Sequence, residues 1–163
     1  MKYYTDGFCR ASNPSPYGGG YTIVDENNNL IRHEEVEKVG FTNNEGEILG
    51  ILGAAKLAKE GDQISTDSMC CLGWANAGKS KARPDLNHIF QECKRLIADK
   101  KLNLMWERRD FNLAGIYNEN KSSERQKKFG KKHKLNDTTV ISEKGILSLI
   151  DEVEQKDLFI KNL

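Results

Sequence analysis

Thr42-Asn43-Asn44-Glu45-Gly46-Glu47-Ile48-Leu49-Gly50-Ile51-Leu52-Gly53-Ala54-Ala55 is the stretch in which the hydrophobic period of this chain changes. Before it the pattern is that of strands. Within it Ile48, Ile51, Leu52, Ala55 and Ala58 recur at helical spacing, and Ala54 and Leu57 widen the apolar face. Thr42 or Asn43 can cap such a helix, Glu45 and Glu47 put negative charge in its first turn, and Gly61 ends it. Upstream lie a short β-prone run at residues 2–6, a turn cluster from Asn13-Pro14 to Gly18-Gly19-Gly20, and a strand at Tyr21-Thr22-Ile23-Val24. A polar hairpin turn at Asp25-Glu26-Asn27-Asn28-Asn29 leads to a more exposed strand over residues 30–40.

Downstream, Gln63-Ile64-Ser65-Thr66-Asp67 is a short buried strand and residues 68–77 are helical. Gly78-Lys79-Ser80-Lys81-Ala82-Arg83-Pro84 is a basic loop. Residues 85–100 form a helix with Leu86, Ile89, Phe90, Cys93, Leu96 and Ile97 on its face. Leu102-Asn103-Leu104-Met105-Trp106 is a strand, and a helix follows over about residues 112–120. The order is β-β-β-α-β-α-α-β-α. A meander followed by strands alternating with helices predicts an α/β fold with a mixed sheet flanked by helices.

The length of 163 residues suits one domain with a short appendage, and 37% hydrophobic with 30% charged residues is a globular composition. We expect a domain at 1–120, a basic linker at 121–141, and a helical extension at 142–163 striped by Ile146, Leu149, Ile150 and Val153. No apolar run approaches the roughly 18 residues of a membrane span, and Met1-Lys2-Tyr3-Tyr4-Thr5-Asp6 has no apolar leader pattern. A cytoplasmic location and no membrane partner are therefore expected. Cys9, Cys70, Cys71 and Cys93 lack zinc-finger spacing and read as free thiols. A net charge of +1 excludes a uniformly basic binder, but residues 121–134 carry seven Lys or Arg against Glu124 alone. That run can add nucleic-acid contacts.

Three acidic residues stand where elements meet. Asp6 ends the first strand, Glu47 lies in the first turn of the long helix, and Asp67 ends the fourth strand. Strand ends and a helix start can bring carboxylates together, and crowded carboxylates suit Mg²⁺ or Mn²⁺. A lone Asp at a strand end can equally serve as a turn or cap residue.

The words around these residues narrow the reading. Thr5-Asp6-Gly7-Phe8-Cys9-Arg10, with Asn13-Pro14 and Gly18-Gly19-Gly20-Tyr21, is similar to the opening of type 1 ribonucleases H. Thr42-Asn43-Asn44-Glu45-Gly46-Glu47 resembles that family's helix start, and Thr66-Asp67-Ser68 its strand end. Trp106-Glu107-Arg108-Arg109-Asp110-Phe111-Asn112-Leu113-Ala114 resembles its last strand and the entry to the final helix. The ordered set covers about residues 2–120. The resemblance implies a five-stranded mixed sheet and endonucleolytic cleavage of the RNA strand of an RNA–DNA hybrid, giving 5′-phosphate. It implies two metal ions, Asp6 bridging both and Glu47 and Asp67 holding the second. It places Asn13, Asn43 and Asn44 as minor-groove readers of 2′-hydroxyls, Cys9 beside the hybrid backbone, and Thr42 in a DNA-phosphate pocket. Asn43 and Asn44 can instead merely cap the helix. Trp74 can pack on a deoxyribose or into the core.

The pattern breaks at the fourth carboxylate of the family, where this register gives Gly115. The loop before it reads Arg108-Arg109-Asp110-Phe111 and lacks the family's mobile histidine; His33, His88 and His133 lie elsewhere. Glu119, one turn further along, is the candidate to take over as metal ligand, with Asp110 a weaker candidate and an exposed helix-end charge the plain alternative. The function expected is a metal-dependent ribonuclease H. The alternative is a catalytically weak module that binds hybrid or structured RNA.

Overall fold

The structure is a computed structural model and describes the backbone of residues 1–127 and 139–142 and the side chains of residues 1–122. Six strands form one sheet in the order β5-β4-β1-β2-β3-β6. The meander is β1 (Lys2–Cys9), β2 (Gly18–Asp25) and β3 (Leu30–Glu37), antiparallel throughout. β4 (Gln63–Thr66) adds parallel to β1, and β5 (Asn103–Trp106) adds parallel to β4. These five strands are the mixed sheet expected from the sequence. The sixth, β6 (Thr139–Ser142), lies parallel to β3 at the other edge.

Strand alternation sorts the side chains between two faces. Helix α1 (Asn43–Leu57) covers the face that carries Thr5, Gly7, Tyr21 and Ile23. Helices α2 (Met69–Ala77) and α3 (Asn87–Asp99) complete that layer, and the core between them includes Ile23, Ile48, Ile51, Ile64, Phe90 and Cys93. Helix α4 (Leu113–Lys127) packs on the opposite face, against β1 and β2. All four cysteines are unpaired.

Five local details depart from the expectation. β1 runs on to Cys9, paired with β2 through Gly19, so Asp6 lies within the strand rather than at its end. α1 stops at Leu57 rather than at Gly61, because the Lys100 ammonium donates to the carbonyls of Ala55, Lys56 and Ala58 at 2.8, 2.9 and 2.8 Å. It satisfies and charge-matches the helix end. β2 begins inside the turn cluster, at Gly18, where the strand has no room for side chains: a Cβ on Gly19 would lie 2.0 Å from the Phe8 carbonyl oxygen. α4 runs seven residues past Asn120 into the stretch read as linker, since no Gly or Pro interrupts it there. Residues 139–142, in the same stretch, are strand. Most of the basic run and the helix expected over 142–156 lie outside the described residues, apart from Ser142 in β6.

The closest approach between the sheet and α1 is backbone on backbone. A Cβ on Gly7 would lie 2.2 Å from the Glu47 nitrogen, and one on Gly46 would lie 2.5 Å from the Gly20 carbonyl oxygen. Gly7→Ala is therefore expected to cost at least about 2 kcal/mol in urea or thermal unfolding, through forced separation of β1 and α1. Gly73→Ala is the control, because a Cβ there meets nothing within 4 Å. It should stabilise by up to about 1 kcal/mol through helix propensity. Equal effects of the two substitutions would contradict this contact.

Candidate metal centre

β4 ends at Thr66, opposite Thr5, so among the described residues no strand pairs with β1 on that side beyond Thr5. Into this gap come three carboxylates. Asp6 belongs to β1, Glu47 to the first turn of α1, and Asp67 follows β4. One oxygen from each lies within 4.8 Å of the others.

Each is held by a neutral N–H donor. The Gly7 backbone N–H donates to Glu47 Oε1 at 3.1 Å. Asn112 Nδ2 donates to Asp67 Oδ2 at 3.2 Å and to the Thr5 carbonyl at 2.9 Å. Asn118 Nδ2 donates to Asp6 Oδ2 at 2.8 Å. Asn112 is fully buried, and its Oδ1 also accepts from the Ala114 N–H at 3.1 Å at the start of α4.

The electrostatics follow from burial and crowding. Burial pushes Asp6 up to about 6, against the Asn118 hydrogen bond, and the Asp67 charge adds to the rise. Glu47 is raised well above the ordinary carboxylate range by burial, then by the charges of Asp6 and Asp67. Asp67 is raised too, chiefly by burial, with Asn112 and Arg109 opposing. Glu47 Oε2 is buried without a hydrogen-bond partner. An unpartnered buried oxygen beside two further carboxylates is a donor set that a hard divalent cation fits. Ligands of one Mg²⁺ lie about 3–4 Å apart, so the cluster needs little adjustment to close on an ion.

The remaining residues named from the sequence fall into three groups. Cys9, Asn13, Thr42 and Asn43 gather around the start of α1. The Cys9 thiol approaches the Phe41 carbonyl oxygen at 3.4 Å, and Asn13 Oδ1 accepts from the Asn43 N–H at 3.1 Å. Thr42 is the cap, its hydroxyl accepting from the Glu45 N–H at 3.2 Å, so the side chains of Asn43 and Asn44 are not needed for capping. Trp74 packs against Phe90 with ring centroids 5.5 Å apart, at the rim of the core. Glu119 is not brought into the cluster: its side chain is 63% exposed and its Oε1 lies 3.6 Å from Arg109 Nε. Helical geometry explains this, since residue 118 rather than 119 faces the sheet. Asp110 is also exposed, beside Arg108 at 3.5 Å.

Besides Asn118, two features escaped the sequence reading. Arg83, in the basic loop, donates to Thr42 Oγ1 at 2.8 Å and pairs with Glu45 at 3.1 Å. His33, set aside as lying elsewhere, meets Thr22 Oγ1 at 2.7 Å and so connects to the Asp6 side of the sheet.

No protein-family profile matches this sequence, and a search of curated proteins finds no relative. Solved structures do match. The N-terminal ribonuclease H domain of Rv2228c from Mycobacterium tuberculosis, solved as a fusion with maltose-binding protein, aligns with a TM-score of 0.54 at 21% identity, over 69% of this chain and 90% of that one. Ribonuclease H1 from Halobacterium salinarum gives 0.54 at 19%, over 75% and 97%. LC11 ribonuclease H1, isolated from compost by a metagenomic approach, gives 0.53 at 24%, over 75% and 96%. The fold is ribonuclease H-like. No helix among the described residues is long and apolar enough to cross a membrane.

The crowding makes the metal-free protein pH-sensitive. With Asp6 raised from 3.8 to about 6, the folded chain keeps a proton that the unfolded chain has released. This group's contribution is fully present below about pH 4 and is lost as pH rises through about 6, at a cost of up to about 3 kcal/mol. Asp6→Asn should therefore raise the Tm of the metal-free protein at about pH 8 and leave it nearly unchanged near pH 4. A lower Tm at both pH values would refute the electrostatic account.

Proposed function

We propose that this chain is a metal-dependent endonuclease that hydrolyses the RNA strand of RNA–DNA hybrids and leaves 5′-phosphate. The observation that carries the reading is the convergence of Asp6, Glu47 and Asp67, from three separate elements, in a ribonuclease H-like fold. LC11 ribonuclease H1 has also been solved in complex with RNA/DNA hybrid, at 23% identity and a TM-score of 0.50, which supports hybrid as the substrate class.

In this reading the three carboxylates would hold Mg²⁺ or Mn²⁺, two ions being what the resemblance implies. Bound divalent ions stabilise the attacking and leaving oxygens of an in-line displacement at phosphorus. The chain itself does the positioning. Gly7, Asn112 and Asn118 fix the carboxylates. Asn13, Asn43 and Asn44 present amides that donate to and accept from 2′-hydroxyls, groups that DNA lacks. Cys9 sits beside Asn13, and Thr42, bonded by an Arg83 that also pairs with Glu45 and Asp85, stands at a helix N-terminus, where backbone N–H groups suit a phosphate of the DNA strand. Trp74 keeps a packing role. Basic residues of the 121–134 run add salt-sensitive affinity.

Gly115 favours a second reading, a weak enzyme retained as a hybrid-binding or structured-RNA-binding module. A Cβ at Gly115 would lie 3.7 Å from Asp6 Cγ, which supports this position as the one where a fourth carboxylate would stand.

The test is cleavage of a labelled hybrid, duplex RNA, duplex DNA and single-stranded RNA with Mg²⁺ and with Mn²⁺. Hybrid alone should be cut efficiently, and Asp6→Asn should abolish cutting while circular dichroism is unchanged. Equal cutting of hybrid and duplex DNA would reject the assignment. Glu119→Gln should retain most activity, because its partner is Arg109; a loss beyond about 100-fold would return Glu119 to the metal set. A wild type that barely cuts, with activity rising sharply in Gly115→Asp, would establish the second reading.

A further inference from the structure

Asp6, Thr22 and His33 are cross-strand neighbours on β1, β2 and β3 and lie in one row under α4. A single side chain from α4 joins them. Asn118 Nδ2 donates to Asp6 Oδ2 at 2.8 Å, Thr22 Oγ1 donates to Asn118 Oδ1 at 2.6 Å, and His33 Nδ1 lies 2.7 Å from Thr22 Oγ1.

The direction of this chain of bonds is forced. A carboxylate only accepts, so Asn118 turns its amide nitrogen to Asp6 and its oxygen to Thr22. Thr22 spends its one proton on that oxygen, so Nδ1 of His33 carries the proton donated to Thr22. The imidazole is 5% exposed, stacked on Phe8 at 5.0 Å and flanked by Tyr117 at 5.5 Å, so its plane is fixed by packing. Asn118 follows Gly115 by three residues and shares its helix face. Gly115 offers no side chain between α4 and Asp6, and the Asn118 amide reaches Asp6 instead.

We infer that Asn118 is the positioning residue for Asp6, filling with a neutral amide the corner that Gly115 leaves empty, and that Thr22 and His33 fix the direction of that amide. This rests on the metal-dependent reading above. It means that Asp6 enters metal binding with one oxygen already engaged and its carboxylate plane set. The centre is three carboxylates and an amide rather than four carboxylates.

The experiment uses the full chain as wild type, Asn118→Ala, Thr22→Val and the double variant, with Mn²⁺ titration by electron paramagnetic resonance beside hybrid cleavage. Loss of such an outer partner weakens metal binding roughly 10–100-fold, which is the effect expected for Asn118→Ala. Thr22→Val conserves shape, keeps the test open if Asn118→Ala folds poorly, and should weaken Mn²⁺ several-fold because the amide is free to turn. The double variant should be no worse than Asn118→Ala, since both act through one contact. Nitrogen-15 spectra of the wild type should show His33 protonated at Nδ1. Affinities within twofold of wild type in both single variants, in a protein that binds Mn²⁺ and cuts hybrid, would overturn the role of Asn118 alone. A wild type that neither binds Mn²⁺ nor cuts hybrid would overturn both readings. Loss of Mn²⁺ affinity in the variants of a wild type that binds Mn²⁺ but cuts no hybrid would uphold Asn118 and remove the hybrid assignment.

Discussion

The contact on which the rest depends is that between two stretches of bare backbone, Gly7 on β1 and Gly46-Glu47 at the start of α1. With a Cβ at either glycine falling 2.2–2.5 Å from backbone atoms, only glycines let the first turn of α1 settle onto the strand. Two consequences follow at once. The Gly7 N–H, past the end of β4, is close enough to donate to Glu47. Glu47 is thereby carried next to Asp6, one residue away on the strand. A helix held even one side-chain diameter further out would leave Glu47 short of the cluster, whatever its sequence position. The glycines weaken the helix locally, and the five buried apolar side chains of α1, Ile48, Ile51, Leu52, Ala54 and Ala55, offset that cost.

Three carboxylates within 4.8 Å oppose folding through burial and repulsion. The chain answers with one neutral donor for each: Gly7 N–H for Glu47, Asn112 for Asp67, Asn118 for Asp6. Neutral donors orient a carboxylate without cancelling its charge. An ammonium or guanidinium in the same places would stabilise the empty cluster and compete with a divalent ion. Arg109, the cation that acts on Asp6 and Asp67, stays 78% exposed and pairs with Glu119 instead. Asn112 does the most, because it ties the end of β4, the middle of β1 and the first turn of α4 at one buried point.

The fold was legible where the apolar period was strong. The change of period at Asn43 marks α1, and the alternation of short strands with helices gives the mixed sheet. What escaped was set by features that periodicity does not record. α4 continues past Asn120 on helix propensity alone, without an apolar stripe to signal it. β6 is a four-residue run, three of its residues β-branched, that needs β3 as a neighbour to be a strand. At the site, Asp6, Glu47 and Asp67 were readable because each sits inside a recognisable local motif. Asn118 and His33 were not, because their relation to Asp6 depends on strand register. A slip of one residue in β2 or β3 would turn Thr22 or His33 to the other face. Glu119 was the natural choice on spacing along the helix. Only the rotation of α4 on the sheet decides that residue 118 faces inward, and that rotation is fixed by Asn112 at the helix start.

That same helix carries a second consequence. α4 starts just after Asn112, holds Asp6 through Asn118, and carries the first part of the basic run, up to Lys127. Lys121 already lies on its surface, with its ammonium 5.9 Å from the centre of the Tyr117 ring, and Tyr117 in turn flanks His33. From Asn118 to Lys127 is nine residues of helix, about 14 Å at 1.5 Å per residue. A helix of that length transmits displacement as a nearly rigid rod. The part of the basic run from Lys121 to Lys127 and the side chain that orients the central carboxylate are therefore parts of one helix. The carboxylate cluster is built from the strands and α1, but its alignment is set from α4, the element continuous with the basic run.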